Sequence, residues 1–158
     1  MRPSPQLFVD ADACPVKNEV ERVASRHQLT AHIVSNGGIR PSRNPFLQTV
    51  IVPNRPDAAD DWIAEHAAQG DIVVTADIPL AALCLKKGAS VLGPNGRPFS
   101  EESIGLALGL RDLNRHLREA SGAQTLNAQF TGADRSRFLG ALENLVQSAK
   151  RAAASKSD

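Results

Sequence analysis

The chain has 158 residues, a formal net charge of +1 at pH 7, 42% hydrophobic residues and 22% charged residues. These values are typical of one soluble globular domain that buries its own core, and the near-neutral charge does not by itself indicate a nucleic-acid partner. No apolar run has the length of a membrane span or the form of a signal peptide, so we expect a cytoplasmic protein. Cys14 and Cys84 are far apart in sequence and match no zinc-site spacing.

The first predicted element is a short buried strand that ends at two carboxylates. The apolar residues 7–9 are followed by Asp10 and Asp12, and then by Pro15. A proline at this point is typical of the first turn of a helix, which we expect to continue to about Gln28. Ligand sites collect where strands of open α/β sheets end, so Asp10 and Asp12 predict a metal- or phosphate-handling site.

A second strand is predicted at residues 31–35, and a segment rich in turn residues follows it at residues 36–45. This segment contains Arg40 and Arg43 and no acidic residue. It can be a plain surface loop, or it can serve as a mobile basic flap beside the acidic site.

The third strand, at residues 49–52, precedes a helix whose predicted N-cap is Asp57. At 100° per residue, Asp60 lies at the edge of the buried face of this helix, whereas Asp61 points towards solvent. Acids in a first turn commonly complement the helix dipole. Because of its position, Asp60 is nevertheless a candidate site residue.

A fourth strand, at residues 72–74, repeats the sequence pattern of the first, an apolar run followed by an acid and a proline. It is followed by Thr75 and Asp77, with a proline just inside the next helix. Asp77 alone is explained as a helix cap, but capping does not explain Asp10, which still belongs to its strand. If the strands are parallel, their carboxyl ends share one edge, and Asp10, Asp12 and Asp77 converge there.

After a helix that ends near Gly88, a fifth strand is predicted at residues 89–92. The alternation of strands and helices predicts an α/β fold with three layers and a mostly parallel five-stranded sheet, followed by C-terminal helices.

The C-terminal part begins with Ser100 as a helix N-cap. A flexible link is expected at residues 122–132, before the last helix. The single domain is predicted to span residues 6–148. The tail at residues 149–158 has little apolar character and is expected to be disordered.

Several carboxylates at one sheet edge repel one another unless a cation or protons neutralise them. Ligands that offer only oxygen suit Mg²⁺ or Mn²⁺, and such ions polarise a phosphodiester and activate a water for in-line attack. The residues predicted to bind metal and act in catalysis are Asp10, Asp12, Asp60 and Asp77. Other polar residues are candidates for orienting water or binding the substrate's phosphates. These are Asn36, Arg40, Arg43, Arg55, Thr75 and Arg97.

Four segments together resemble the YaiI/YqxD family of uncharacterised bacterial proteins, and the resemblance extends from about Phe8 to Val146. The matching segments are residues 9–16, 54–60, 75–81 and 134–138. That family is similar to the PIN-like nucleases, in which acids after the first strand, within a middle helix and after a Thr-x-Asp strand hold divalent metal. The resemblance assigns these roles to Asp10, Asp60 and Asp77, and it implies a ribonuclease with a PIN-like fold.

Two other functions fit the same residues. An apolar strand followed by Asp-x-Asp also opens haloacid-dehalogenase-type phosphatases, which use an aspartyl nucleophile. Cys14 stands where those enzymes normally have Thr or Val, and no convincing later Lys motif is present. The second alternative is a non-catalytic protein that binds metal or RNA.

Asp12 and the Cys14-Pro15 pair depart from the usual PIN pattern.

Overall fold

The structure, a computed structural model, describes residues 4–37, 40–106 and 131–156. Its strands form one five-stranded sheet in the order β3-β2-β1-β4-β5, and every pair of neighbouring strands is parallel. The strands are β1 (Leu7–Asp10), β2 (Ala31–Ser35), β3 (Leu47–Ile51), β4 (Ile72–Val74) and β5 (Ser90–Leu92). The predicted parallel α/β fold is confirmed.

Helices cover both faces of the sheet, which gives three layers. They are α1 (Lys17–His27), α2 (Ala58–His66), α3 (Ile78–Lys86), α4 (residues 101–106, where this part of the description ends) and α5 (Gly132–Lys156). Leu7 and Val9 of β1 lie in the core beneath α1 and α5, whereas Phe8 lies in the core beneath α2 and α3. Side chains alternate along a strand, so Asp10 faces the α2–α3 side.

The strand order creates a switch point between β1 and β4. The crossover that contains α1 leads from β1 to β2, and the crossover that contains α2 leads from β3 back past β1 to β4. Right-handed crossovers in opposite directions place α1 and α2 on opposite faces of the sheet. The carboxyl ends of β1 and β4 therefore border a crevice of the kind that binds ligands in open α/β sheets.

The last helix is anchored by three residues at four-residue spacing. Phe138, Leu142 and Val146 are each 0% exposed and pack with α1 and the sheet. This spacing places them on one face of the helix, so α5 is an integral part of the core.

Some predicted boundaries differ from the structure. α1 begins at Lys17, so Pro15 precedes the helix and does not occupy its first turn. α5 continues to Lys156 through residues for which the sequence analysis predicts a disordered tail. Ala149 packs against the core, and the alanines that follow it have the highest helix propensity.

The N-cap prediction for Ser100 is confirmed, because its Oγ accepts a hydrogen bond of 3.1 Å from the Ser103 N–H. The helix expected beyond residue 106, and nearly all of the link expected at residues 122–132, lie outside the described residues. No helix in the described part of the chain has the length and apolar character needed to cross a membrane.

Candidate metal centre at the carboxyl edge of the sheet

Asp10 forms the floor of the candidate site, at the end of β1. It is only 7% exposed, and its Oδ2 accepts a hydrogen bond of 3.3 Å from the Thr75 hydroxyl, which is fully buried at the end of β4. The same hydroxyl oxygen accepts a hydrogen bond of 3.0 Å from the Asp77 N–H. Thr75 therefore ties the two strand ends together and fixes Asp10 relative to Asp77.

Asp77 has a structural role at the start of α3. Its Oδ1 accepts a hydrogen bond of 2.8 Å from the Leu80 N–H, which makes it the side-chain cap of that helix. Its carboxyl group also lies within hydrogen-bonding reach of Asp60. Asp77 is thus held rigidly by its capping bond and faces a second acid across the cleft between α2 and α3.

Asp60 reaches the site from the first turn of α2. Burial, together with the negative charges of Asp77, Asp10 and Asp57, raises its pKa to about 6. Burial also raises the pKa of Asp10; the Thr75 hydrogen bond opposes this change, and the charges of Asp12 and Asp77 add to it. The negative charges of the site's carboxylates are therefore not fully balanced by the protein groups around them.

Asp60 and Asp77 line a cleft of about 270 Å³ between α2 and α3. Its acidic lining consists of Asp57, Asp60, Asp61 and Asp77, and its apolar lining of Ala64, Pro79, Leu80 and Leu83. A second cleft, of about 300 Å³, lies at the opposite edge of the sheet next to Asp71. The fully buried Asp71 carboxylate accepts hydrogen bonds from the Gln6 and Ala68 N–H groups, which gives it a structural role.

Asp12 lies apart from the other three predicted metal ligands. Its Oδ1 accepts a hydrogen bond of 2.8 Å from the Ser35 hydroxyl, and its Oδ2 accepts one of 2.8 Å from the Asn36 N–H. Both oxygens thus hold the loop that follows β2. The negative charge of Asp12 contributes to the raised pKa of Asp10, whereas the carboxyl groups of Asp60 and Asp77 face each other directly.

The donor set suits a partly hydrated hard cation. Within the described ranges, no group of three or more His, Cys, Asp or Glu side chains is arranged to enclose a metal ion. Mg²⁺ does not require such a cage, because it usually keeps several waters and binds one or two carboxylates. If Asp10, Asp60 and Asp77 held an ion, their negative charge and oxygen-only side chains would fit Mg²⁺ or Mn²⁺ better than zinc.

The predicted substrate-binding residues divide into two groups. Thr75 contacts Asp10, Asn36 contacts Asp12, and Arg55 lies 3.5 Å from the exposed Asp61. The others are exposed in loops, and no described contact connects their side chains with the acidic cluster. These are Arg40, Arg43 and Arg97.

Sequence reasoning did not assign site roles to Ser35 and Cys14, two neighbours of the acidic cluster. Ser35 is fully buried and donates to Asp12; its place at the end of an apolar strand was the available signal. The buried Cys14 thiol lies beside Asp10, and burial raises its pKa to about 12, so it is neutral at pH 7. Asp57 occupies the N-cap position of α2, as predicted, but it has a left-handed conformation (φ 65°) and its side chain makes no capping hydrogen bond.

The raised pKa of Asp60 predicts how the stability of the metal-free protein depends on pH. The folded state holds this proton more tightly than the unfolded chain, so its contribution is complete below pH 3.8 and is lost as the pH rises through about 6. We expect the melting temperature of the wild type to fall across this window relative to Asp60→Asn, measured by thermal unfolding in chelator. Glu65→Gln, an exposed position of α2 outside the lining of the cleft, is the control. A wild-type-to-Asp60→Asn difference that does not change with pH would contradict the assignment.

The fold and the site define a parallel α/β protein with carboxylates at the switch point of its sheet. Residues 8–148 match the family model described as "Uncharacterized BCR, YaiI/YqxD family", and the chain belongs to that family. This confirms the resemblance found in the sequence.

Several relatives match over nearly their whole length. The chain is 55% identical over 151 residues to the UPF0178 protein mlr0875 of Mesorhizobium japonicum, which covers 96% of this chain and 97% of that protein. It is 56% identical over 147 residues to the UPF0178 protein Rru_A0086 of Rhodospirillum rubrum, covering 92% of this chain and 98% of that protein. No solved structure matches the chain significantly. The family description and the relatives' names specify no activity.

Proposed function

We propose that the protein is a Mg²⁺- or Mn²⁺-dependent phosphodiesterase that cleaves RNA. The observation that supports this most strongly is the convergence of Asp10, Asp60 and Asp77 from β1, α2 and the start of α3. Burial, and after it the repulsion between these carboxylates, raises the pKa of Asp10 and Asp60, so their charged forms are disfavoured without a cation. A bound divalent cation removes this repulsion and supplies the Lewis acidity that phosphodiester hydrolysis needs.

The protein's own groups contribute by holding the carboxylates in place. The Thr75 hydrogen bond orients Asp10, and the bond from the Leu80 N–H orients Asp77. Asp60 is carried on α2, whose Ile63 is fully buried. Oriented groups of this kind need little rearrangement when charge develops on a reacting phosphate.

The geometry favours direct attack by water over the phosphatase alternative. In that alternative Asp10 is the nucleophile, but here it is 7% exposed and is held by Thr75. Asp12, which would be its partner acid, has both oxygens engaged by Ser35 and Asn36. We therefore assign Asp10 to the cation and Asp12 to the loop that follows β2.

The proposal is tested with purified protein and an end-labelled single-stranded RNA, with Mg²⁺, with Mn²⁺ and after chelation. We expect cleavage only when a divalent cation is present, and an anomalous-scattering peak between Asp10, Asp60 and Asp77 in crystals soaked in Mn²⁺. Cleavage that survives chelation would contradict the proposal. An aspartyl-phosphate trapped with a fluoride analogue would favour the phosphatase, and cation binding without cleavage would favour a non-catalytic protein.

A further inference from the structure

The carboxyl edge of the sheet has two sides of opposite charge. Its α2–α3 side carries the acidic cleft described above. Its α1–α5 side carries cationic residues at the start of both helices and in the adjoining loops. We call this second set the basic strip; it consists of Lys17, Arg40, Arg97, Arg135 and Arg137.

Two hydrogen bonds connect cations of the basic strip with the loops that follow β1 and β2. The Lys17 Nζ donates a hydrogen bond of 3.1 Å to the Arg40 carbonyl oxygen, which links the start of α1 to the loop after β2. The Arg135 Nη1 donates one of 3.0 Å to the Pro15 carbonyl oxygen, which links α5 to the same region. These two bonds hold cations from three segments next to the loop between β1 and α1.

The α5 half of the strip continues to the turn after β5. The Arg137 Nη1 donates a hydrogen bond of 3.2 Å to the Asn95 carbonyl oxygen. In the same turn Gly96, at φ +85°, is so close to α5 that an added Cβ would lie 2.6 Å from the Arg137 carbonyl carbon. Arg97, the next residue, is exposed. The basic strip is therefore continuous from the β2 loop to the β5 turn.

The cations of the strip exceed the carboxylates that neutralise them. Arg135 pairs with Glu19 at 3.2 Å, and Arg137 pairs with Asp134 at 3.1 Å. In the part of the chain that the structure describes, no carboxylate forms an ion pair with Lys17, Arg40 or Arg97. The side chains of Arg135 and Arg137 remain 46% exposed despite their ion pairs. The strip thus presents net positive charge to solvent.

We propose that the basic strip binds the phosphate backbone of a single-stranded nucleic acid and directs one phosphate towards Asp10. This inference rests on the proposed function and assigns new substrate-binding roles to Lys17, Arg135 and Arg137. Arg55, by contrast, lies on the acidic side with Asp61. A flexible single strand fits because Asp10 is recessed and only 7% exposed. Exposed cations contact phosphates without reading sequence.

The test uses substitutions that leave the packing of α5 intact. Arg135 is not replaced, because it holds the Pro15 carbonyl group and pairs with Glu19. The variant is the triple substitution Lys17→Gln, Arg40→Gln and Arg97→Gln. The matched control removes three exposed cations outside the strip, by the substitutions Arg22→Gln, Lys86→Gln and Arg151→Gln.

Binding of a fluorescent single-stranded RNA is measured by anisotropy in chelator, over a series of salt concentrations. We expect the triple variant to bind at least about tenfold more weakly, and its slope of log affinity against log salt to fall by about 2, since each lost phosphate contact removes roughly 0.7 for a single strand. The control should bind within about twofold of the wild type. A DNA strand of the same sequence should show the same loss, because the strip contacts phosphates.

The outcomes separate this inference from the proposed reaction. If the triple variant binds RNA as tightly as the wild type while the wild type cleaves RNA with Mg²⁺, the RNA-binding role of the basic strip is wrong and the proposed reaction stands. If the triple variant loses binding but the wild type never cleaves, the strip stands and the reaction is wrong. Displacement of RNA by poly-glutamate at equal charge concentration, or a loss of binding that is confined to RNA, would overturn phosphate recognition by the strip.

Discussion

Asp10→Asn is expected to reduce metal-dependent RNA cleavage by about a thousandfold or more. The substitution removes the negative charge of the Asp10 side chain while keeping the shape of that side chain. A cation site supplies several kcal/mol of stabilisation to the reacting phosphate, and each 1.4 kcal/mol is roughly a factor of ten in rate. Initial rates with labelled RNA at saturating Mg²⁺ measure the effect. The control is Glu65→Gln, because Glu65 is an exposed carboxylate of α2 that does not line the acidic cleft and should contribute little.

The same substitution should leave the fold intact or make it more stable. An Asn side chain still accepts the hydrogen bond from Thr75, and it removes a charge whose burial and acidic neighbours raise the pKa of Asp10. The metal-free variant should therefore melt at or above the wild-type temperature. Wild-type cleavage rates, or an unfolded variant, would contradict the role given to Asp10. At position 77 the appropriate variant is also Asn, because Ala would remove the α3 cap at a cost of about 1 kcal/mol.

Phe138→Ala is expected to lower the free energy of unfolding by about 3–5 kcal/mol, the usual cost of removing a buried aromatic side chain. Phe138 is fully buried among residues of α1, the sheet and α5. Its loss leaves a cavity where α5 meets the rest of the core. Urea unfolding followed by circular dichroism measures the change.

Ser136→Ala is the matched control, because Ser136 is exposed on the same helix and should have an effect near zero. Equal stabilities of the Phe138→Ala protein and the wild type would show that α5 is not packed as described. A folded Phe138→Ala protein is also expected to bind RNA more weakly, because α5 carries Arg135 and Arg137 of the basic strip.

Much of the fold could be predicted because strands of a parallel sheet are buried on both faces and therefore appear as short apolar runs. Residues 31–35 and 72–74 are such runs, and both are strands in the structure. The end of α5 could not be predicted in this way. Its last turns contain mainly alanine and charged residues, and Ala149 is ordered by packing against a core formed from distant parts of the chain.

The candidate site was predictable where topology decided it. Parallel strand ends share an edge, so Asp10 and Asp77 had to lie near each other, and the helical period placed Asp60 towards them. Asp12 differs because β1 ends at Asp10 and the chain then turns, so the two-residue alternation of a strand no longer applies. The basic strip depends on contacts such as Arg135 with Pro15, 120 residues apart, which no local pattern indicates.

Asp10, Asp60 and Asp77 come from distant parts of the chain, and their carboxylates approach one another only once β1 and β4 have paired. A denatured chain lacks this arrangement. A divalent cation that binds these carboxylates as proposed would therefore bind native molecules and not denatured ones. By mass action, each tenfold increase in free cation above its dissociation constant then adds about 1.4 kcal/mol to the native state. If the cation binds as proposed, carboxylates that weaken the fold on their own would couple the abundance of folded protein to the supply of the ion.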